Sequence, residues 1–487
     1  MKTYRSRPIH LILACTLVLS ACAARPRQEQ ATFSEDEIIQ TTRRVEARLE
    51  QAAKVALKRP PLRASAAEAA DADAAAGGAQ AQLAACLGEE TPPQLAATVL
   101  DCKHGSGLES TCAFAALDQD AGQLDRRCGM AYAARVARAA GQATLVESRV
   151  VDNEAGAPMR AIKSQRRADL LLTLHARVLA ERGQVAAALR LLLDNEMATI
   201  DTLRGRPSMH AVMSSSMGLE EDVALARMLL ADARLDAAAL DGLAAELDTL
   251  IASLPPLATV VRASETVDHL PVALAALAPE RPLPAGITLA APVGENHGVD
   301  DRQQAAAALL ASEQLAEQVD RACPTGSTFA SCLLALEAAD RDNRRGADAA
   351  MAEAARIEKA PVGVTRAQLH DSTVAMLRGL LGGSRARVAR LYARHLALLS
   401  ALRIELEVRR HQLRTGRCPS LADLDGPPFV ALRSPAELGQ PLALVAVAEG
   451  SFRIDAPVAL RLARDEDSLD APTTLATVRC GAGASPR

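Results

Sequence analysis

The chain reads as mainly α: a helical array of solenoid-like helix pairs, followed by a small α+β module at the C-terminus. Three observations predict this. Apolar residues recur at helical spacing through most of the sequence, between recognisable cap and break signals. Ala and Leu, the strongest intrinsic helix formers, dominate a chain with five Phe, three Tyr and no Trp, a composition suited to closely packed helices. Only after residue 415 does the apolar pattern shift to the alternation of strands.

The N-terminus comes first. Lys2, Arg5 and Arg7 precede an apolar run from Ile9 to Ala21, shorter than the roughly 20 residues a membrane-spanning helix needs. Residues 1–21 therefore read as a cleaved signal peptide. Leu19-Ser20-Ala21-Cys22 resembles the bacterial lipobox. The resemblance implies that Cys22 becomes the first residue and carries a diacylglyceryl thioether and an N-acyl chain such as palmitate. One acyl chain anchors only marginally and several anchor stably. In that family Asp after the cysteine retains the protein at the inner membrane. Here the position is Ala23, which resembles outer-membrane sorting, on the periplasmic side. Residues 22–33 form a polar tether.

Residues 34–141 read as a disulfide-stapled helical region. "SEDE" at 34–37 is a capping box, with Ser34 as N-cap and Glu37 reaching back. Ile38, Thr42, Val45, Leu49 and Ala53 then share one helical face. The Ala-rich stretch 64–82 is a weak helix or a linker, and Thr91-Pro92-Pro93 opens a further helix. Beyond Cys15 and Cys22, eight cysteines remain: Cys86, Cys102, Cys112, Cys128, Cys323, Cys332, Cys418 and Cys480. An even set in an exported chain predicts disulfides, because the periplasm is oxidising. The first four are spaced symmetrically about Gly107. A helix pair folded there sets Cys102 opposite Cys112 and Cys86 opposite Cys128; pairing as 86–102 and 112–128 is the alternative.

Residues 142–278 predict the array itself. A helix pair breaks at Gly183, and a second pair ends at Pro255-Pro256. The pairs resemble tetratricopeptide-type solenoids, although no full repeat recurs three times. The Pro/Gly-rich stretch 279–300 predicts a linker. In 301–415, helices over 301–321 and 328–341 meet at a corner that a Cys323–Cys332 bridge would staple. A long helix follows over 384–415, with Val388, Leu391, Leu398, Leu402 and Leu406 on one stripe.

Residues 416–487 form the last module. Alternating residues on either side of Glu449-Gly450 predict a hairpin. A further strand puts Ala476, Val478 and Cys480 on one face, and a bridge from Cys418 to Cys480 is expected. Gly416, Pro419, Leu421, Leu424, Gly439, Pro441 and Leu442 follow a long helix in an order that resembles the C-terminal part of type II secretion pseudopilins. The order is also similar to a module of helix-rich envelope proteins. The likeness covers about a sixth of the chain and does not extend to filament assembly, because the apolar N-terminal pilin helix is missing.

Loss of Lys2, Arg5 and Arg7 with the signal takes the formal charge from −4 to about −7, which disfavours nucleic acid as a partner. Scarce aromatics disfavour glycan binding. No close CxxC or HExxH motif predicts a metal, and no Walker A, Rossmann or GxSxG pattern predicts a cofactor or a serine hydrolase. His175 and His395 sit in apolar helical runs as core histidines, while His104 and His297 lie in Gly-rich loops. "MSSSMG" at 213–218 reads as a helix start, and "LEED" at 219–222 as an acidic first turn. "DRDNRRGAD" at 340–348 fails as a calcium loop, with Arg344, Arg345 and Met351 at required positions. No catalytic residue is assigned. The expected role is protein interaction or assembly, with Arg177, Arg190 and Arg227 as candidate contacts to an unidentified protein partner. An envelope hydrolase, or an immunity factor against a periplasmic toxin, is the alternative.

Overall fold

A computed structural model describes residues 33–54, 57–58, 60–63, 145–146, 172–173, 175–204, 209–231, 234–268, 299–359, 365–382, 385–448, 451–458 and 473–479. The signal segment, Cys22, His104, His297, Cys480 and the four cysteines at 86, 102, 112 and 128 lie outside these residues.

Helix α1 (Glu35–Lys54) starts as its capping box requires. The Ser34 N–H and hydroxyl donate to Glu37 Oε2 at 2.6 and 2.8 Å, and the Glu37 N–H donates to Ser34 Oγ at 3.3 Å. Just before it, Phe33 is clamped. Its N–H donates to Gln303 Oε1 (2.6 Å), its carbonyl accepts from Gln303 Nε2 (3.0 Å), and its ring packs 4.4 Å from that of His370. A two-residue antiparallel ribbon, β1 (Leu57–Lys58) with β2 (Leu145–Val146), adds strand to a region expected to be helical.

Residues 175–181 are helical and lead through Gly183, at φ 86°, into α2 (Val185–Arg204). Then come α3 (Met209–Leu230), α4 (Ala237–Ala252) and α5 (Leu257–Asp268). Asp236 caps α4 by accepting the Ala239 N–H at 2.7 Å. The start of α3 differs from the sequence reading. "MSSSMG" and "LEED" both fall inside it, because Val212, Leu219, Val223, Ala226 and Leu230 continue one buried face across both motifs.

A second group follows: α6 (Val299–Ala322), α7 (Phe329–Lys359) and α8 (Arg366–Gly382). Here α7 runs well past the expected end near 341, straight through "DRDNRRGAD". Two side chains of that motif face inward. Asn343 exchanges two hydrogen bonds with Gln318 of α6 (2.8 and 3.1 Å), and Asp340 Oδ2 accepts the Ala386 N–H (3.1 Å). The Cys323–Cys332 bridge is present, with Cα atoms 4.7 Å apart at the α6–α7 corner.

Helix α9 (Arg385–Thr415) is the axle of the molecule. At 31 residues it spans about 46 Å, and it packs against α3, α4, α5 and α7. The single stripe read from the sequence understates its burial. Val388, Leu398, Leu402 and Leu406 are buried, but so are Ala389, Tyr392, Ala393, Leu396, Ala397, Leu399, Ala401, Ile404 and Val408. So wide an apolar face belongs in an interior, and small alanines let neighbours approach from several directions. One hydrophobic core consequently joins Leu172–Val261, Val319–Leu336, α9 and the C-terminal sheet. The stretch 279–300 divides the sequence, while the elements on either side of it share that core.

The C-terminal module comprises short helices α10 (Leu421–Leu424) and α11 (Phe429–Arg433), then β3 (Ala443–Ala448), β4 (Ser451–Ala456) and β5 (Thr473–Arg479). The sheet is antiparallel in the order β3-β4-β5, with Leu444 opposite Ile454 and Ile454 opposite Ala476. Phe452, Ile454, Ala476, Phe429, Leu438 and Leu442 are its share of the core. The module is fastened to the stapled corner, where the first two N–H groups of α7, from Phe329 and Ala330, donate to the carbonyls of Glu437 and Leu438 (2.6 and 3.2 Å). Those donors have no partner within their own helix. Gly439, at φ +70°, is required there, because an added Cβ would sit 2.3 Å from Thr328 Oγ1. Cys418 is disulfide-bonded.

Candidate functional site

The strongest concentration of chemistry in the described residues lies where α2, α3, the helical segment before α2 and α9 meet. Four side chains there, Asn195, Glu196, Asp222 and His395, are between 1 and 3 % exposed. Asp222 accepts from Thr173 Oγ1 at 2.8 Å and from Asn195 Nδ2 at 2.7 Å. Glu196 Oε2 lies 3.7 Å from His395 Nε2. Burial pushes the Asp222 carboxyl up to about 7, against the opposing pull of the Asn195 and Thr173 hydrogen bonds. Burial also pushes the His395 imidazole down to about 3, so it is neutral at physiological pH. Beside it, the Tyr392 hydroxyl donates to the Pro255 carbonyl, and burial raises its phenol well above the usual value.

An acid, a carboxylate and a neutral imidazole are the ingredients of general acid–base catalysis. Catalysis needs a substrate within reach, and these groups are sealed inside the helical core. The arrangement instead ties α3 to α2 and to the helical segment before it, through the Asp222 hydrogen bonds to Asn195 and Thr173. Among the described residues, no group of three or more His, Cys, Asp and Glu side chains is placed to hold a metal ion. No described helix is long and apolar enough to cross a membrane.

Around this cluster, arginines act as struts. Arg403 grips Asp248 with a two-pronged contact (2.8 and 3.2 Å) and reaches Glu407 at 3.4 Å. Arg410 and Arg414 also donate to Glu407, at 2.5 and 2.9 Å. Arg394 donates to Glu220 at 2.7 Å, and Arg390 lies 3.5 Å from Glu337. Arg63 lies 2.9 Å from Asp194 and 2.7 Å from Glu246.

The three arginines singled out in the sequence fall in different settings. Arg177 is half-buried. Arg190 keeps 46 % of its side chain exposed while lying 3.3 Å from Glu246. Arg227 is drawn inward, its Nε donating to Glu405 Oε1 at 2.6 Å. Burial raises the Glu405 carboxyl, and the Arg227 charge and hydrogen bond oppose that rise. The three are therefore not one uniform exposed row. His395 was expected as a satisfied core or boundary histidine; it is buried, but neither ring nitrogen is hydrogen-bonded. Asp222 and Asn195 were missed as a pair. "LEED" carried the ordinary signature of a helix start, and partners 27 residues apart in sequence leave no local signal.

Comparison with known protein families, curated proteins and solved structures finds no match to this chain. The lipobox and pseudopilin resemblances therefore rest on the residues that carry them.

Proposed function

We propose that this protein is a lipid-anchored scaffold of the bacterial envelope, facing the periplasm from the outer membrane and engaging a partner protein in interaction or assembly. The observation that carries this reading is the use made of its charges. The hydrogen bonds of Asp222 to Asn195 and Thr173 and the arginine struts join helices to one another, and so build a stiff body whose outer helical faces are the surface offered to a partner. Stacked helix pairs produce extended surfaces suited to protein ligands. The lipobox at Leu19-Ser20-Ala21-Cys22 supports the location. Arg190, the more exposed of the array's candidate contacts, and Arg177 are the residues assigned to the partner. Arg227 belongs to the body.

The test is co-purification from detergent-solubilised membranes, with mass spectrometry of whatever is retained. A stoichiometric protein that is lost on Arg177→Glu plus Arg190→Glu, with the thermal midpoint preserved, supports the reading. Absence of such a protein together with turnover of murein or lipid overturns it in favour of an envelope hydrolase. For the anchor, Cys22→Ser abolishes labelling by a radioactive fatty acid and leaves an uncleaved precursor, because the thiol is the site of lipid attachment. Normal labelling of that variant removes the lipoprotein assignment.

A further inference from the structure

The three-stranded sheet has two edges, and the chain treats them differently. At one edge, β5 shows Thr474, Thr477 and Arg479 to solvent and is backed by α9. Polar and charged side chains of this kind discourage a foreign strand. At the other edge, β3 reads Ala443-Leu444-Val445-Ala446-Val447-Ala448, with no charged, polar or proline residue. Ala443, Val445, Ala446 and Val447 are exposed, the two valines by 39 and 58 %. Among the described residues only β4 pairs with it, and a strand paired on one side turns its other row of N–H and C=O groups outward. The register with β4 shifts between Ala446 and Ala448. That irregularity sits at the end of the strand, so it does not turn residues 443–446 away from a partner. Five of the eight large apolar side chains that the described residues leave exposed fall within 413–458, so apolar exposure gathers around this sheet.

We propose that the β3 edge is the seam of a homodimer, in which β3 pairs antiparallel with β3 of a second copy and two three-stranded sheets become one of six strands. Two features single out a second copy as the occupant. The first is charge. A strand lying along β3 must itself be apolar and uncharged. Among the described strands longer than two residues β3 alone meets that condition, since β4 carries Arg453 and Asp455 and β5 carries Arg479. On β4, opposite Val445 and Ala443, stand Arg453 and Asp455. They neutralise each other within one copy at 2.8 Å, so neither copy presents a lone charge across the seam.

The second feature is symmetry. Side chains alternate along a strand with period two, so a two-fold axis at Val445 sets exposed face beside exposed face. Val445 then meets its own counterpart and Ala443 meets Val447, and no like charges stand opposite each other to oppose pairing. An isologous contact of this kind closes at two copies. With β3 consumed and β5 guarded, the six-stranded sheet has no open apolar edge on which to grow.

The experiment is oxidative trapping of the full chain in detergent, with the single variants Val445→Cys and Ala443→Cys and the parent as baseline. Opposed residues of an antiparallel pair have Cα atoms about 4.5–5.5 Å apart, within the reach of a disulfide. In the same register the two Ala443 positions lie about 14 Å apart and cannot be bridged. Val445→Cys is expected to give a covalent dimer of this chain on non-reducing electrophoresis, while Ala443→Cys and the parent stay monomeric. No dimer from Val445→Cys, equal dimer from both variants, or Val445→Cys trapped on a different protein overturns the proposal. Should a cysteine variant not fold, sedimentation of the parent and of Val445→Lys decides. A parent whose sedimentation coefficient rises with concentration, beside a Val445→Lys chain that stays monomeric with an unchanged thermal midpoint, sustains the dimer. A parent monomeric at every concentration, or a Val445→Lys chain that associates as the parent does, refutes it.

Discussion

Asp222 of α3 and Glu407 of α9 are buried to the same depth, 2 and 1 % exposed, yet opposite means hold them. Glu407 is surrounded by cations from its own helix, Arg403, Arg410 and Arg414. Their side chains are 10, 23 and 55 % exposed in that order, so its charge is led outward by steps to water. Asp222 is bonded by the neutral donors of Thr173 and Asn195, with no cation at hand. Burying an unpaired ion costs several kcal/mol, and a protein can meet that by supplying a counter-charge or by keeping the proton. The molecule uses the first device on α9, near its C-terminal end, and the second where α3 meets α2.

The comparison can be broken by mutation. The largest expected effect is at Glu407. Glu407→Ala removes the carboxylate shared by three arginines, of which Arg403 is the most buried, and lowers stability by about 3 kcal/mol at neutral pH, read from urea unfolding. Arg227→Glu comes next. It sets a second carboxylate against the buried Glu405, and a loss of about 2 kcal/mol is expected. A measured loss near zero would return Arg227 to the list of surface contacts. Smaller again is Asp222→Asn. An amide stands in for a protonated acid, and a change under about 1 kcal/mol in either direction is expected at pH 7. If Asp222→Asn destabilises as much as Glu407→Ala, Asp222 is an ion and the contrast fails. The smallest effect is that of salt. Screening at about 1 M ionic strength shortens the reach of exposed charges to about 3 Å. It should trim the Glu407→Ala difference by a few tenths of a kcal/mol and leave that of Asp222→Asn unmoved.

Legibility in the sequence followed the range of the contacts. Ser34 and Glu37 are three residues apart, Cys323 and Cys332 nine, and the β3–β4 hairpin closes over two; each is readable from local spacing, and each is present. The full burial of α9 was not readable, since Arg385 and Arg403 interrupt its apolar pattern and their partners Leu315 and Asp248 are set by tertiary packing. The same holds for α7. Asp340 and Asn343 resemble loop residues until Ala386 and Gln318 are brought against them. Polar residues in this chain were legible where they cap and obscure where they bridge.

The grip on Phe33 also sets a load path. Gln303 holds both the N–H and the carbonyl of that residue, and Ile38 sinks one turn later into the cluster with Ala306, Leu309 and Val374. Tension along the chain from the N-terminal side therefore arrives at a residue held at both its N–H and its carbonyl, and passes sideways into α6 and α8 before it can pull on α1. Unzipping α1 from its first turn requires that two hydrogen bonds and a buried ring give way together, so the body resists being peeled from that end.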